Sequence, residues 1–167
     1  TSSGQAAGAC RPVVRGMHAN RVRTVEDGVG TFDVSDVGPD HGVPLEPFAA
    51  ERVEVVRGAA TLRYGSQAIG GVVNAITSRV PVNLAEGALA ADAVAGFGSV
   101  ADSRDFGGQL NLRQGAFAMH ADAFSRHSDD YDTPDGVMAN SWLRGRGGAV
   151  GGACIGTDHR AGLSVVR

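Results

Sequence analysis

The chain has 167 residues, a formal charge of −3 and 25 glycines, and all 15 of its basic residues are Arg. No apolar stretch approaches the ~20 residues of a transmembrane helix, and no basic start followed by an apolar core marks a signal peptide. The acidic balance argues against nucleic acid as a partner. Because the chain opens at Thr1 rather than Met, it is expected to be a mature or truncated product.

Before Pro81 the sequence consists of short apolar segments separated by Gly, Asp and Pro. Strands are expected over residues 12–15, 21–26, 52–57 and 71–76, each short, β-branched and closed by a turn residue. The run from Pro44 to Phe48 reads as a loop entering a helical turn through Glu51, and residues 59–64 as another. Together they predict a small mixed α/β unit, too irregular for a nucleotide-binding or hydrolase core.

After Pro81 the pattern turns to period two. Phe106, Gly108, Leu110 and Leu112 share one face, opposite Gly107, Gln109, Asn111 and Arg113. Residues 117–126 repeat the pattern, and Gln114-Gly115 joins the two segments as a hairpin. Weaker strands are expected at 89–97, 148–155 and 160–166. The link over 128–146 is long and polar, carrying Asp129, Asp130, Asp132, Asp135 and a Pro134-Asp135-Gly136 turn. Such a meander fits a soluble β-sandwich or an outer-membrane barrel. Short turns at one end and a long acidic loop at the other favour the barrel. The thin aromatic set of Phe97, Phe106, Phe117, Phe124, Tyr131 and Trp142 weighs against it.

Catalytic motifs are absent from the sequence. There is no Lys for a Walker-type phosphate loop, no Gly-x-Ser-x-Gly elbow and no His-x-x-x-His pair. No enzyme activity and no catalytic cofactor are expected. Cys10 and Cys154 form neither a metal-type pair nor a disulfide framework, and read as unpaired. His120, His127 and His159 read as solvated or lumen-facing.

The densest signal runs from Glu51 to Thr77, where Glu54, Arg57-Gly58, Tyr64-Gly65 and Gly70-Gly71-Val72-Val73-Asn74 follow in order. This run resembles the plug-domain signature of TonB-dependent outer-membrane receptors. Arg11-Pro12-Val13-Val14-Arg15-Gly16 resembles that family's earlier Arg-Gly strand, and the segment from Asn20 to Val29 its next strand, with the Asp27-Gly28 turn. Ala59 stands where the family usually has Pro, and Phe32 where Gly is frequent. The resemblance implies a plug over residues 1–82, N-terminally incomplete, followed over 83–167 by the first four or five antiparallel strands of a transmembrane β-barrel. It also implies that Arg15 and Arg57 latch the plug to glutamates on the barrel wall, a pairing that suits an Arg fork. Without the resemblance, both would read as solvated surface arginines.

The segment from Asp33 to Gly42 is similar to the zinc-uptake (ZnuD-like) branch of that family, which implies Asp40 and His41 as zinc ligands on an outward-facing loop. Carboxylate and imidazole are ordinary zinc ligands, but two adjacent residues do not complete a tetrahedral site. The plain alternative is a turn-capping Asp beside a solvated His.

The function implied is energised uptake across the outer membrane of a Gram-negative bacterium, driven by the TonB–ExbB–ExbD complex. The cargo implied is zinc, with a siderophore or haem as the alternative. From a different class, a soluble secreted or adhesive β-domain would explain the alternation but not the plug blocks. An isolated fragment of this kind would leave an open sheet edge and a lipid-type face in water, and is expected to fold poorly.

Overall fold

The computed structural model describes residues 2–4, 10–30, 46–65 and 68–167. The chain divides into two compact units, Thr1–Thr77 and Ser78–Arg167.

In the first unit, β1 (Ser2–Gly4) pairs antiparallel with β2 (Cys10–Pro12). A second sheet has the order β4-β3-β6-β5, formed by Val29–Gly30, Val22–Glu26, Gly71–Thr77 and Ala50–Val56. Strands β3 and β6 run parallel at its centre, while β4 and β5 flank them antiparallel. The β-branched run Gly71-Val72-Val73-Asn74-Ala75-Ile76-Thr77 suits a strand bonded on both edges. Val25 and Val72 are fully buried with Ala68, and Val56 and Tyr64 pack against them. Burying each valine contributes about 1.5–3 kcal/mol.

The helical turns expected here take a tighter form. Pro47–Ala49 and Gly58–Tyr64 are 3-10 segments, and the described residues of the unit contain no α-helix, so the mixed α/β expectation is not met among them. The physical reason is local. Gly58 opens the second segment at φ 75° and Gly65 closes it at 97°, so it has only seven residues, too few to repay the cost of an α-helical nucleus. The Thr61 hydroxyl donates to the Gly58 carbonyl at 2.8 Å, which closes the tight turn from inside.

The second unit is one antiparallel meander in the order β13-β12-β9-β8-β7. Its strands are β7 (Leu89–Gly98), β8 (Ser103–Gln114), β9 (Phe117–Ser128), β12 (Leu143–Ile155) and β13 (Arg160–Val166). Within the link after β9, β10 (Asp132–Thr133) and β11 (Gly136–Val137) form a miniature hairpin across the predicted Pro-Asp-Gly turn. Asp130 Oδ1 accepts from the backbone N–H groups of Ser141 and Trp142 at 2.7 and 2.8 Å, closing that link on itself. Strand β12 begins earlier than the sequence pattern suggested. Its first residues, Arg144-Gly145-Arg146-Gly147, read as loop by composition, yet they pair in register with Phe124 to His127.

The two faces of this sheet are inverted relative to a soluble protein. On one face lie Leu89, Ala91, Ala93, Ala95 and Phe97, then Phe106, Leu110 and Leu112, then Phe117, Met119 and Ala121, then Val150, Leu163 and Val165. It is apolar and open: Leu89 is 72% exposed, Phe117 69% and Leu163 74%. The opposite face carries Asn111, His120 and Asp122, all buried. Alternation alone left the sandwich and the barrel open. A sandwich buries its apolar face against a second sheet, whereas here the polar face is the covered one.

Candidate functional site

The plug signature resolves into turns and close approaches around the β3–β6–β5 sheet. Asp27 and Gly28 both have positive φ, 50° and 82°, as the type I′ hairpin linking β3 to β4 requires. The Gly28 N–H donates to the buried Asn74 side chain at 3.0 Å. Asp27 accepts from the Thr77 N–H at 2.8 Å and the Thr77 hydroxyl at 2.6 Å, so the turn is stitched to the end of β6. Asn74 lies opposite both Val25 and Glu54 in register, and Glu54 pairs with Arg52 Nε at 2.9 Å on the exposed side. Arg23 donates to the Tyr64 carbonyl at 2.6 Å, passing beneath Gly65.

Gly70 and Gly71 serve close approach. A Cβ on Gly70 would sit 2.8 Å from Met17 Cβ and 2.9 Å from the Arg21 carbonyl oxygen. A Cβ on Gly71 would sit 3.1 Å from both Val14 Cγ1 and the Val56 carbonyl oxygen. Val14 and the Val56 carbonyl therefore flank Gly71. Arg15, at φ 53°, and Gly16, at 77°, form the turn bridged by Val14 and Met17. Arg57 is extended just ahead of Gly58. Both arginines, the two expected latch residues, are exposed, each following a residue that flanks Gly71.

Asp40 and His41 lie outside the described residues. Among the described residues no group of three or more His, Cys, Asp or Glu is placed to hold a metal ion. Cys154 is a free, exposed thiol.

The second unit holds a cluster that the sequence reading missed. His120 is buried, with Nδ1 2.7 Å from Asn111 Oδ1 and Nε2 3.0 Å from Asp122 Oδ2. The same Asp122 oxygen accepts from Arg79 Nε at 3.3 Å, and the side chains of Arg79, Asp122 and His120 retain at most 8% exposure. Arg79 arrives on the segment leading into β7, which lies along the polar face of the sheet. Its carbonyl rests on Gly151, and Val80 rests on Gly162. Val82 and Leu84 pack on Ala118, Ala153 and Ile155, while Arg113 donates to the Leu84 carbonyl. His120 was expected to be solvated or lumen-facing, and this cover is what removes it from water. The available signal was His120-x-Asp122, two polar groups on one strand face beside Asn111. Nothing local announces that Arg79 comes to meet them.

Residues 1–72 match the family model of the TonB-dependent Receptor Plug Domain. A stretch of 63 residues is 44% identical to a Yersinia pestis protein named "Hemin receptor", covering 36% of this chain and 9% of that relative. The chain thus spans less than a tenth of the relative's length. The family match covers less than half of the chain, and most of the signature turns and close approaches described above fall within it.

Proposed function

We propose that this chain supplies the plug and the first wall strands of an outer-membrane receptor that imports a metal-bearing ligand by TonB-dependent, energised uptake. One observation carries the reading: a plug domain is followed directly in the chain by an antiparallel meander whose apolar face is open and whose polar face is covered. Four of its five strands have 10, 12, 12 and 13 residues, enough to cross a bilayer at a tilt, which takes ~9–11. In a closed barrel the apolar face meets lipid and the polar face lines the lumen.

The mechanism has no covalent step. Cargo binds on the outward side of plug and wall, the TonB–ExbB–ExbD complex strains the plug from the periplasm, and a path opens inward. In this reading Arg15 and Arg57, both exposed, pair with wall glutamates and release them as the plug shifts. The outer membrane of a Gram-negative bacterium is the location this reading requires.

For the cargo, likeness to a hemin receptor supports haem or another metal chelate ahead of free zinc. The zinc alternative rests on Asp40 and His41 alone. Titrating haemin into the purified full-length receptor separates the two. The expected result is saturable binding with a shifted haem absorption band, unchanged by the pair Asp40→Ala and His41→Ala. Zinc binding by calorimetry that this pair abolishes, with no haemin binding, would overturn the cargo assignment.

A further inference from the structure

The apolar face of the meander ends in a cationic rim. In register, Arg104 of β8 lies opposite His127 of β9, which lies opposite Arg144 of β12. One step toward the apolar band, Arg146 lies opposite Ser125. These positions share the parity of Phe106, Leu110, Ala121 and Val150, so they stand on the apolar face, not the covered one. Arg104, Arg144 and Arg146 are exposed, and among the described residues no carboxylate pairs with them. His127 Nε2 is 3.2 Å from Asp129 Oδ1, the one acidic group paired with this row among the described residues. Aromatic rings share the rim. Arg144 lies over Trp142 at 5.9 Å, and Phe97 meets Phe106 edge-on with centroids 5.7 Å apart.

Side chains directly opposite on neighbouring strands have Cβ atoms about 4.5–5.5 Å apart, and like charges there repel. Arg104 and Arg144 face each other across His127, with Arg146 one step in, and an anion among the three guanidinium groups offsets their crowding. Guanidinium forks suit phosphate oxygens, which they bind in pairs. An occupant that also matches the next layers must continue as hydrocarbon, because Ala93, Gly108, Ala123 and Gly148 follow, then Ala91, Leu110, Ala121 and Val150. Free phosphate satisfies only the first requirement. An anionic lipid satisfies both.

We propose that Arg104, Arg144 and Arg146, with His127, bind the phosphate headgroup of an anionic membrane lipid whose acyl chains lie along the apolar face. This rests on the membrane-spanning reading given above. The test uses the full-length receptor in non-ionic detergent, titrated with phosphatidylglycerol or phosphatidylcholine and read by native mass spectrometry. The unmodified receptor is expected to prefer phosphatidylglycerol by about tenfold, the scale of one charge-assisted hydrogen bond. The triple variant Arg104→Gln, Arg144→Gln, Arg146→Gln loses that preference, while Arg126→Gln, on the opposite face, keeps it. Equal preference in the triple variant, or competition by inorganic phosphate as effective as that by phosphatidylglycerol, overturns the proposal. A nitroxide label on Cys154, which shares the apolar face, separates the two failures. If the label reports water in a reconstituted bilayer, the membrane-spanning reading itself fails. If it reports lipid while the triple variant behaves as the unmodified receptor, only the headgroup site fails.

Discussion

Asp122→Ala in the full-length protein is expected to lower the unfolding free energy by about 3–5 kcal/mol, the scale of stripping one partner from a buried ion pair. The geometry gives the reason. A single carboxylate oxygen serves both Arg79 at 3.3 Å and His120 at 3.0 Å, in a place where none of the three side chains reaches water freely. Removing it leaves a buried guanidinium without that counter-charge and one imidazole nitrogen without its partner. The cost belongs to the unpaired groups more than to the pair itself. Adding Arg79→Ala to Asp122→Ala should therefore recover part of the loss, and a double-mutant cycle in denaturant unfolding would show a coupling energy of at least 1 kcal/mol. Strict additivity of the two changes would mean the contact does not form in the folded protein.

The second large effect is steric, and it tests which face of β12 is covered. A Cβ on Gly151 would land inside the radius of the Arg79 carbonyl oxygen, a backbone atom with little room to give. Gly152, its neighbour, points the other way, and a Cβ there would meet nothing nearer than the Ala118 carbonyl oxygen at 3.8 Å. Gly151→Ala is expected to destabilise by about 1–3 kcal/mol, as overpacking does, and to speed amide exchange at Val80, Val82 and Leu84. Gly152→Ala is expected to stay within about 0.5 kcal/mol, as surface changes usually do. Equal effects from the two glycines would mean that the segment around Arg79 does not lie on that face.

Much of the five-stranded meander was legible in the sequence because period two is a local signal. The strands expected at 89–97, 117–126 and 160–166 match β7, β9 and β13 to within two residues. The Gly-Gly-Val-Val-Asn block became β6, and Asp27-Gly28 became the expected turn. What alternation does not carry is sign. It divides residues between two faces without saying which face meets water, so it does not foretell that Asn111, His120 and Asp122 lie on the covered face. That cover depends on Arg79 and Asp122, 43 residues apart, and no periodicity reports such a contact. The opening of β12 escaped for a related reason. Arginines on an otherwise apolar face look like loop, yet at a rim they are in phase with the strand.

The candidate site was legible to a different degree. The plug glycines were found because backbone conformations that only glycine adopts easily leave their mark in the residue type, as at Gly58 and Gly65. Arg15 and Arg57 were singled out by resemblance, and the structure shows both exposed, next to the Val14 and Val56 that flank Gly71. The cargo was not legible from these residues. Asp40 and His41 lie outside the described part of the chain.

Energised uptake is the central claim, and growth on haemin as the sole iron source tests it most directly. Cells of a Gram-negative host lacking their own haem receptor should grow when supplied with the full-length receptor, and should stop when TonB is removed or when the plug is deleted through Thr77. Growth that persists without TonB, or radiolabelled haemin entering equally fast with and without the receptor, would contradict the account.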